Sequence, residues 1–318
     1  MERRRLMTAG AMLLARPALA QPAFPNRPIR VVIPAGPGGG TDILARLVVP
    51  KAAELLRTSI VIENRGGGES LIGTEVVVRA PPDGHVLLFS DSSPYMARVL
   101  RSRLPFDPLT DLAPVMRVAT GSVLLYAHPG LGVRDVAGLV AKARAEPGRV
   151  TFATSSTVSQ LIGELLKQRA GFDMTHVPYR SGGQALTDVI SGHVALTVNG
   201  ASNGKPYVAS GELVALGAAG AARNPALPQV PTFAEQGYPG IPGGSEWVLV
   251  APAGTPQAVI AQIHAAFREA VFDAALAPRM AELGFIPDGA DGAVLQADKA
   301  RELELWAQVL AAAGIARQ

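Results

Sequence analysis

Ile29-Arg-Val-Val-Ile33 runs directly into Pro34-Ala-Gly-Pro-Gly-Gly-Gly40, and Thr41-Asp42 then open a segment in which Ile43, Leu44, Leu47 and Val48 recur at helical spacing. A β-branched run, a glycine loop and an amphipathic helix in that order read as one strand–loop–helix unit. The theme returns downstream. Ile60-Val-Ile62 is a second strand, Gly66-Gly-Gly68 a loop, Leu71 to Arg79 a helix, and His85-Val-Leu-Leu-Phe89 a third strand ending in Ser90-Asp-Ser-Ser93. Strands alternating with helices predict an α/β protein with a largely parallel sheet.

A second α/β unit begins near residue 120. Ser122 to Ala127, Val150 to Ala153, His176 to Tyr179, Val194 to Val198 and Leu213 to Ala218 read as strands. Helices are expected at Val136 to Ala145, Ser159 to Ala170, Gln184 to Ile190 and around Lys205 to Ser210. The stretch Asn224 to Gly244, with five prolines and four glycines, is a linker. Beyond it come a strand at Trp247 to Val250 and helices at Pro256 to Val271, Ala274 to Leu283 and Ala290 to Ala313, which need the first sheet to pack against.

The 318 residues are 48% hydrophobic and 17% charged, enough to bury a large core and too apolar for a disordered chain. The net charge of +3 resides at the N-terminus. Without Arg3, Arg4, Arg5, Arg16 and Glu2, the 29 basic and 26 acidic side chains become 25 of each. A neutral body with 5% aromatic residues offers no phosphate-tracking stripe and no stacking platform, so nucleic acid is not an expected partner.

Residues 1–20 combine Arg3-Arg4-Arg5, an apolar stretch from Leu6 to Ala15 and Ala18-Leu19-Ala20 before Gln21, the layout of a cleaved signal peptide. The paired arginines are compatible with Sec or twin-arginine export, and the mature chain is expected to begin at Gln21 in the periplasm. No later segment reaches the roughly 18 apolar residues of a membrane span. The absence of cysteine removes disulfides, thiolate nucleophiles and Cys-bound metal.

A glycine loop at a helix N-terminus presents backbone N–H groups to an anion. It is not a dinucleotide fingerprint, because Thr41 falls where the third glycine belongs and Pro37 withdraws a donor. Nor does Gly-Lys-Ser/Thr follow, and Asp42 would repel a pyrophosphate while capping N–H groups. The carboxylate of a small ligand fits the loop better, although a ligand-free helix cap would look the same.

Hydroxyl and amide residues cluster at the carboxyl ends of the expected strands: Ser90, Ser92 and Ser93, then Thr154, Ser155, Ser156 and Thr157, then Ser181 and Asn199. Ligands of open α/β sheets bind at such ends, and hydroxyls with amides suggest binding rather than chemistry, though each also serves as a helix cap. No nucleophile motif stands in a convincing context. Ser202-Asn-Gly-Lys205 has Ser-x-x-Lys spacing, but Gly204 and Pro206 argue against the helical turn it requires. His85, His128, His176, His193 and His264 lack the spacings of a metal site, so neither a metal nor a cofactor is expected.

The stretch from Pro28 to Asp42 resembles the first strand and loop of the tripartite tricarboxylate transporter substrate-binding proteins, also called the Bug family. Glu63-Asn-Arg65 with Gly73, Pro82-Asp-Gly84, Leu104-Pro-Phe-Asp-Pro108, His176-Val-Pro-Tyr179, Leu227-Pro-Gln-Val-Pro-Thr232 and Ala251-Pro-Ala-Gly-Thr-Pro256 are similar to further family landmarks, in order across residues 25–315. The resemblance implies a type II periplasmic binding protein fold, with two α/β lobes joined by two crossing hinge segments. Residues 21–120 with 247–318 would form lobe 1, and 121–246 lobe 2. It implies a non-enzymatic, extracytoplasmic solute receptor, expected to be monomeric, that captures a small carboxylated metabolite and delivers it to membrane permease subunits.

Carried over by position, Gly36, Gly38, Gly39, Gly40, Thr41 and Asp42 would form the first-lobe clamp and Thr154, Ser155, Ser156 and Thr157 the second. Ser92, Tyr179, Ser181 and Asn199 would line the walls. Three departures stand out: Ala153 to Gln160 is about two residues shorter than the family's loop; Ser181 and Asn199 stand where the family tends to have glycine and aspartate; and Glu246 occupies the slot of a pocket-side tryptophan, with Trp247 one place along. A carboxylate there would favour a ligand carrying an amine or hydroxyl, unless Glu246 simply faces solvent. Two other functions compete: a secreted hydrolase, which requires His176 or His128 within reach of Ser92 or Ser155, and a sensor subunit that presents its solute to a membrane signalling partner.

Overall fold

The computed structural model describes residues 24–68, 70–179 and 181–317. The export signal at residues 1–20 lies outside them. In chain order the elements are β1 (Ile29–Ile33), α1 (Gly40–Leu56), β2 (Ile60–Asn64), α2 (Leu71–Val78), β3 (Val86–Asp91), α3 (Ser93–Leu100), β4 (Leu112–Ala127), α4 (Val136–Ala145), β5 (Thr151–Thr154) and α5 (Thr157–Ala170). They continue with β6 (Thr175–Pro178), α6 (Gly182–Ile190), β7 (Leu196–Gly200), α7 (Ala201–Ala209), β8 (Val214–Ala218), β9 (Gly244–Pro252), α8 (Gln257–Val271), α9 (Ala277–Glu282), β10 (Ile286–Pro287) and α10 (Gly292–Ala312).

The strand order β2-β1-β3-β9-β4-β7-β5-β6 contains two sheets sharing one strand. Residues 112–122 of β4 pair with β9, and β10 also joins this half, whereas residues 123–127 pair with β7 and β8. At 16 residues β4 is long enough to belong to both lobes. The chain crosses at Gly121–Val123 and returns at Gly243–Gly244, where Val123 N–H donates to Gly243 O at 3.0 Å. From the sequence only Ser122 to Ala127, the last part of β4, is expected as a strand, because Pro114 and Arg117 break the apolar run before it. Register shifts at Pro114/Met116 and Arg117/Ala119 accommodate both, since a bulge tolerates a residue without a ladder N–H.

The first sheet is covered on both faces. Ile29, Val31 and Ile33 pack with Leu44 and Val48 of α1 and with Ile263 and Phe267 of α8, while Val32 belongs to the opposite core with Val77, Trp306 and Leu310. Period-2 alternation thus splits β1 between two cores, which is why four of its five residues are apolar, the fifth, Arg30, pairing with Glu63 of β2. The C-terminal helices do return to the first sheet. β1, β2 and β3 are mutually parallel, as are β5, β6 and β7, but the crossing strands β4 and β9 are antiparallel to their neighbours.

One helix is not foreseen by the sequence pattern, and one local expectation fails. α3 follows β3 after only Ser92, started by Pro94 in its first turn, where a proline has no N–H to lose. The segment Ser202–Lys205 is helical, inside α7, despite Gly204 and Pro206. Packing overrides propensity there: a β-carbon on Gly204 would lie 2.2 Å from the Tyr126 ring, so glycine lets the helix approach β4. No helix among the described residues is long and apolar enough to cross a membrane, and none of their His, Asp and Glu clusters could hold a metal ion.

Candidate functional site

The sheet registers fix where a ligand could sit. Asp91, the last residue of β3, pairs with Trp247, which pairs in turn with Ala119 of β4; Gly200, the last residue of β7, pairs with Val123. The carboxyl ends of the parallel strands in both sheets therefore point at the same crossing, four residues or roughly 13 Å of β4 apart. Loops following β1, β3, β5, β6 and β7 surround that gap, the position at which open α/β sheets bind ligands.

On the first rim, Gly36, Gly38, Gly39 and Gly40 are exposed and Thr41 and Asp42 are buried. Gly38 has φ +82, which an L side chain rarely adopts, and a β-carbon on Gly36 or Gly38 would meet nothing within 4 Å. Gly39 caps α1 with no side-chain hydrogen bond, so the N–H groups of the first turn have no side-chain acceptor at the cap and remain available to an anion. The Asp42 carboxylate does not cap the helix. It accepts from Gly38 N–H at 2.9 Å, from Arg46 Nε at 2.9 and 3.0 Å, and from Asn64 Nδ2 at 3.0 Å. Arg46 above all, helped by Gly38 and Asn64, holds this carboxyl at about 2 against the opposing effect of burial. Arg46 and Asn64 also bond each other, and Asn64 donates to Ala35 O, so the loop is braced at three points. Asp42 shapes the loop and has little capacity left for a ligand.

On the second rim, Thr154 is buried with its Oγ1 2.8 Å from His176 Nε2, and Ser156 caps α5 by accepting from Ser159 N–H at 3.2 Å. Ser155 is exposed and Thr157 half-buried. Their hydroxyls and the first-turn amides of α5 are what this rim offers. The wall residues are committed elsewhere: Tyr179 Oη donates to Asp188 at 2.6 Å and its pKa is pushed up to about 12 by that bond, Ser181 caps α6 at Gln184 N–H, and Asn199 bonds Gly182 O, Gly200 N–H and Asn203.

Ser92 belongs to a different structure, an ionic knot beneath the crossing. Its Oγ donates to Glu246 at 3.2 Å and accepts from Lys299 Nζ at 3.2 Å. Lys299, 1% exposed, also pairs with Glu246 and Glu302. Burial alone would depress the Lys299 ammonium, but Glu302 and Glu246 outweigh it and hold its pKa above the ordinary value. Arg117 joins Glu246 at 3.1 Å, Asp298 at 2.8 Å and Asp288 at 2.9 Å. Glu246 is therefore neither a solvent-facing linker residue nor a free carboxylate in the cleft. A cavity of about 740 Å³ opens beside the knot, bounded by Ser92, Val158, Gly243, Glu246 and Leu305; of the expected clamp and wall residues it holds Ser92, together with Glu246.

Alternation in β9 sends Trp247 to the other face. Its Nε1–H donates to Thr41 Oγ1 at 3.2 Å. The sequence pattern gives no role to Trp247 beyond a strand start beside Glu246, marks Asn64 only as a family landmark, and leaves Arg46, Arg117 and Lys299 unread. Arg46 was visible as the i+4 partner of Asp42. The hydrolase geometry is not formed: Ser92 is bonded to Glu246 and Lys299, His176 to Thr154, and His128 Nδ1 accepts from Gly130 N–H at 3.1 Å.

Residues 44–310 match the tripartite tricarboxylate transporter family receptor. The chain belongs to that family. BugT of Bordetella pertussis is 31% identical over 318 residues, covering 98% of each chain. A Rhodopseudomonas palustris protein solved with adipate is 32% identical, with a TM-score of 0.75 over 92% of this chain and 99% of its own. MatC of the same organism, solved with bound malate, is 30% identical, with a TM-score of 0.71 over 90% and 100%. The two-lobed, type II arrangement is thus common to this chain and to receptors of the family.

Proposed function

We propose that this receptor captures a small carboxylated metabolite, a dicarboxylate of the size of malate or adipate, in the gap between the two rims, and hands it to membrane permease subunits. The observation that carries the proposal is the uncapped first turn of α1 behind the open Gly36–Gly40 loop, aimed at the crossing where the second rim also converges. One carboxylate is received by those backbone N–H groups; Ser155, Thr157 and the first turn of α5 close on the ligand from the other side. Asp42, Thr154, Ser156, Ser181 and Asn199 act by shaping the loops. The lobes expected at 21–120 with 247–318 and at 121–246 rotate about Gly121–Val123 and Gly243–Gly244, with Ser245 and Glu246, paired with Gly121 and Thr120 of β4, staying with the first. The protein works as an exported periplasmic monomer and performs no chemistry on its ligand.

A thermal-shift titration with succinate, malate, adipate, citrate and amino acids tests this. A dicarboxylate should raise the melting temperature progressively with concentration, following RT ln(1 + [L]/Kd). No shift with any carboxylate at millimolar concentration would overturn the reading.

A further inference from the structure

We propose that Trp247 is a positioning residue of the ligand site, which ties the first turn of α1 to the hinge. The indole N–H donates to Thr41 Oγ1 at 3.2 Å, and the ring lies 3.6 Å from the β-carbon position of Gly40, the residue that opens α1. Another carbon of the same ring, Cζ3, lies 3.1 Å from the β-carbon position of Gly121, where β4 leaves the first sheet. Phe285 meets it edge-on, with centroids 4.7 Å apart, and fixes its tilt. One rigid side chain thus touches the hinge strand, the clamp helix and the core behind them.

Thr41 is only 7% exposed, so water does not readily replace the indole as the donor to its hydroxyl. Holding Thr41 sets the direction of the first-turn N–H groups, and a helix terminus binds an anion only as well as those groups are aimed. Lobe rotation at Gly121 presses on the same ring, so hinge angle and clamp geometry are mechanically joined. The inference rests on the proposed function for its ligand, but the hydrogen bond itself can be tested without one.

The test is a double-mutant cycle of Trp247→Phe, which keeps an aromatic side chain but loses the donor, and Thr41→Val, which keeps the shape and loses the acceptor; the cycle cancels the change in ring size common to both Trp247 variants. In ligand-free protein, the amide protons of Ile43 and Leu44, which close the first turn of α1, should exchange about fivefold faster in each variant. The double variant should exchange no faster than either, while amides in α8 stay unchanged. Dissociation constants for malate and adipate should rise about fivefold in each single variant, again without adding. Unchanged Ile43 and Leu44 exchange in both single variants, or additive effects in the double, would overturn the proposal. Failure of the unmodified protein to bind malate or adipate would instead count against the proposed function, and the exchange data would still decide the role of Trp247.

Discussion

Replacing Lys299 with methionine removes the centre of the ionic knot while nearly preserving volume, so the loss is electrostatic rather than a cavity. The ammonium is 1% exposed and serves Glu246, Glu302 and Ser92. Breaking a buried pair typically costs about 3–5 kcal/mol, because the partner is left charged and unpaired. Here Glu246 keeps Arg117 at 3.1 Å, and Glu302 keeps the Trp306 indole N–H at 3.0 Å, which places the expected cost near the lower bound, about 3 kcal/mol. Urea unfolding followed by circular dichroism should show the midpoint falling by roughly 1 M. The sharper signature is a change of sign. Glu302→Gln alone should destabilise, since Lys299 loses a carboxylate; in the Lys299→Met background it should restore about 1 kcal/mol or more, since it removes an orphaned charge. Equal effects of Glu302→Gln in both backgrounds would refute the reasoning.

Asp42→Asn removes the brace of the glycine loop. A carboxyl held at about 2 instead of 3.8 is worth about 2.4 kcal/mol at full value, and the half-exposed Arg46 leaves roughly 1 kcal/mol after solvent screening. Because the folded pKa is depressed, this advantage over the variant exists above pH 4 and disappears as pH falls toward 2; a gap in unfolding free energy that stays constant from pH 6 to pH 2.5 would contradict it. Gly204→Ala should cost about 2–3 kcal/mol, since its methyl would press on the fully buried Tyr126 ring 2.2 Å away; an unchanged thermal midpoint would show that α7 can shift freely.

Much of the architecture was legible because each strand–loop–helix unit carries its own pattern. Ile29–Ile33 and Val136–Ala145 are local signals, readable from periodicity, whereas Asn224–Gly244, expected as a linker from its turn residues, is packed into the second lobe through Ala226, Leu227, Val230 and Phe233. β4 was half-missed because its first half bulges around Pro114 and Arg117, and only the first turn of α7 was misjudged, because the reason for Gly204 lies in Tyr126, on another strand. The site divides the same way. The open glycine loop was readable, but the roles of its neighbours were not: a hydroxyl at a strand end looks identical whether it caps a helix, as Ser156 and Ser181 do, or faces a ligand, as Ser155 can. Glu246 shows the limit most clearly. Its environment is set by Arg117, brought beside it by the pairing of β4 with β9, and by Lys299, delivered by the return of α10 across the first sheet, both distant in the chain.

Native mass spectrometry of the protein recovered from the periplasm, before and after incubation with malate, succinate or adipate, tests the central claim most directly. The expected result is one dicarboxylate per chain, retained in the folded protein and released on mild unfolding. A protein that carries no such mass and gains none from any of the three at millimolar concentration would contradict it.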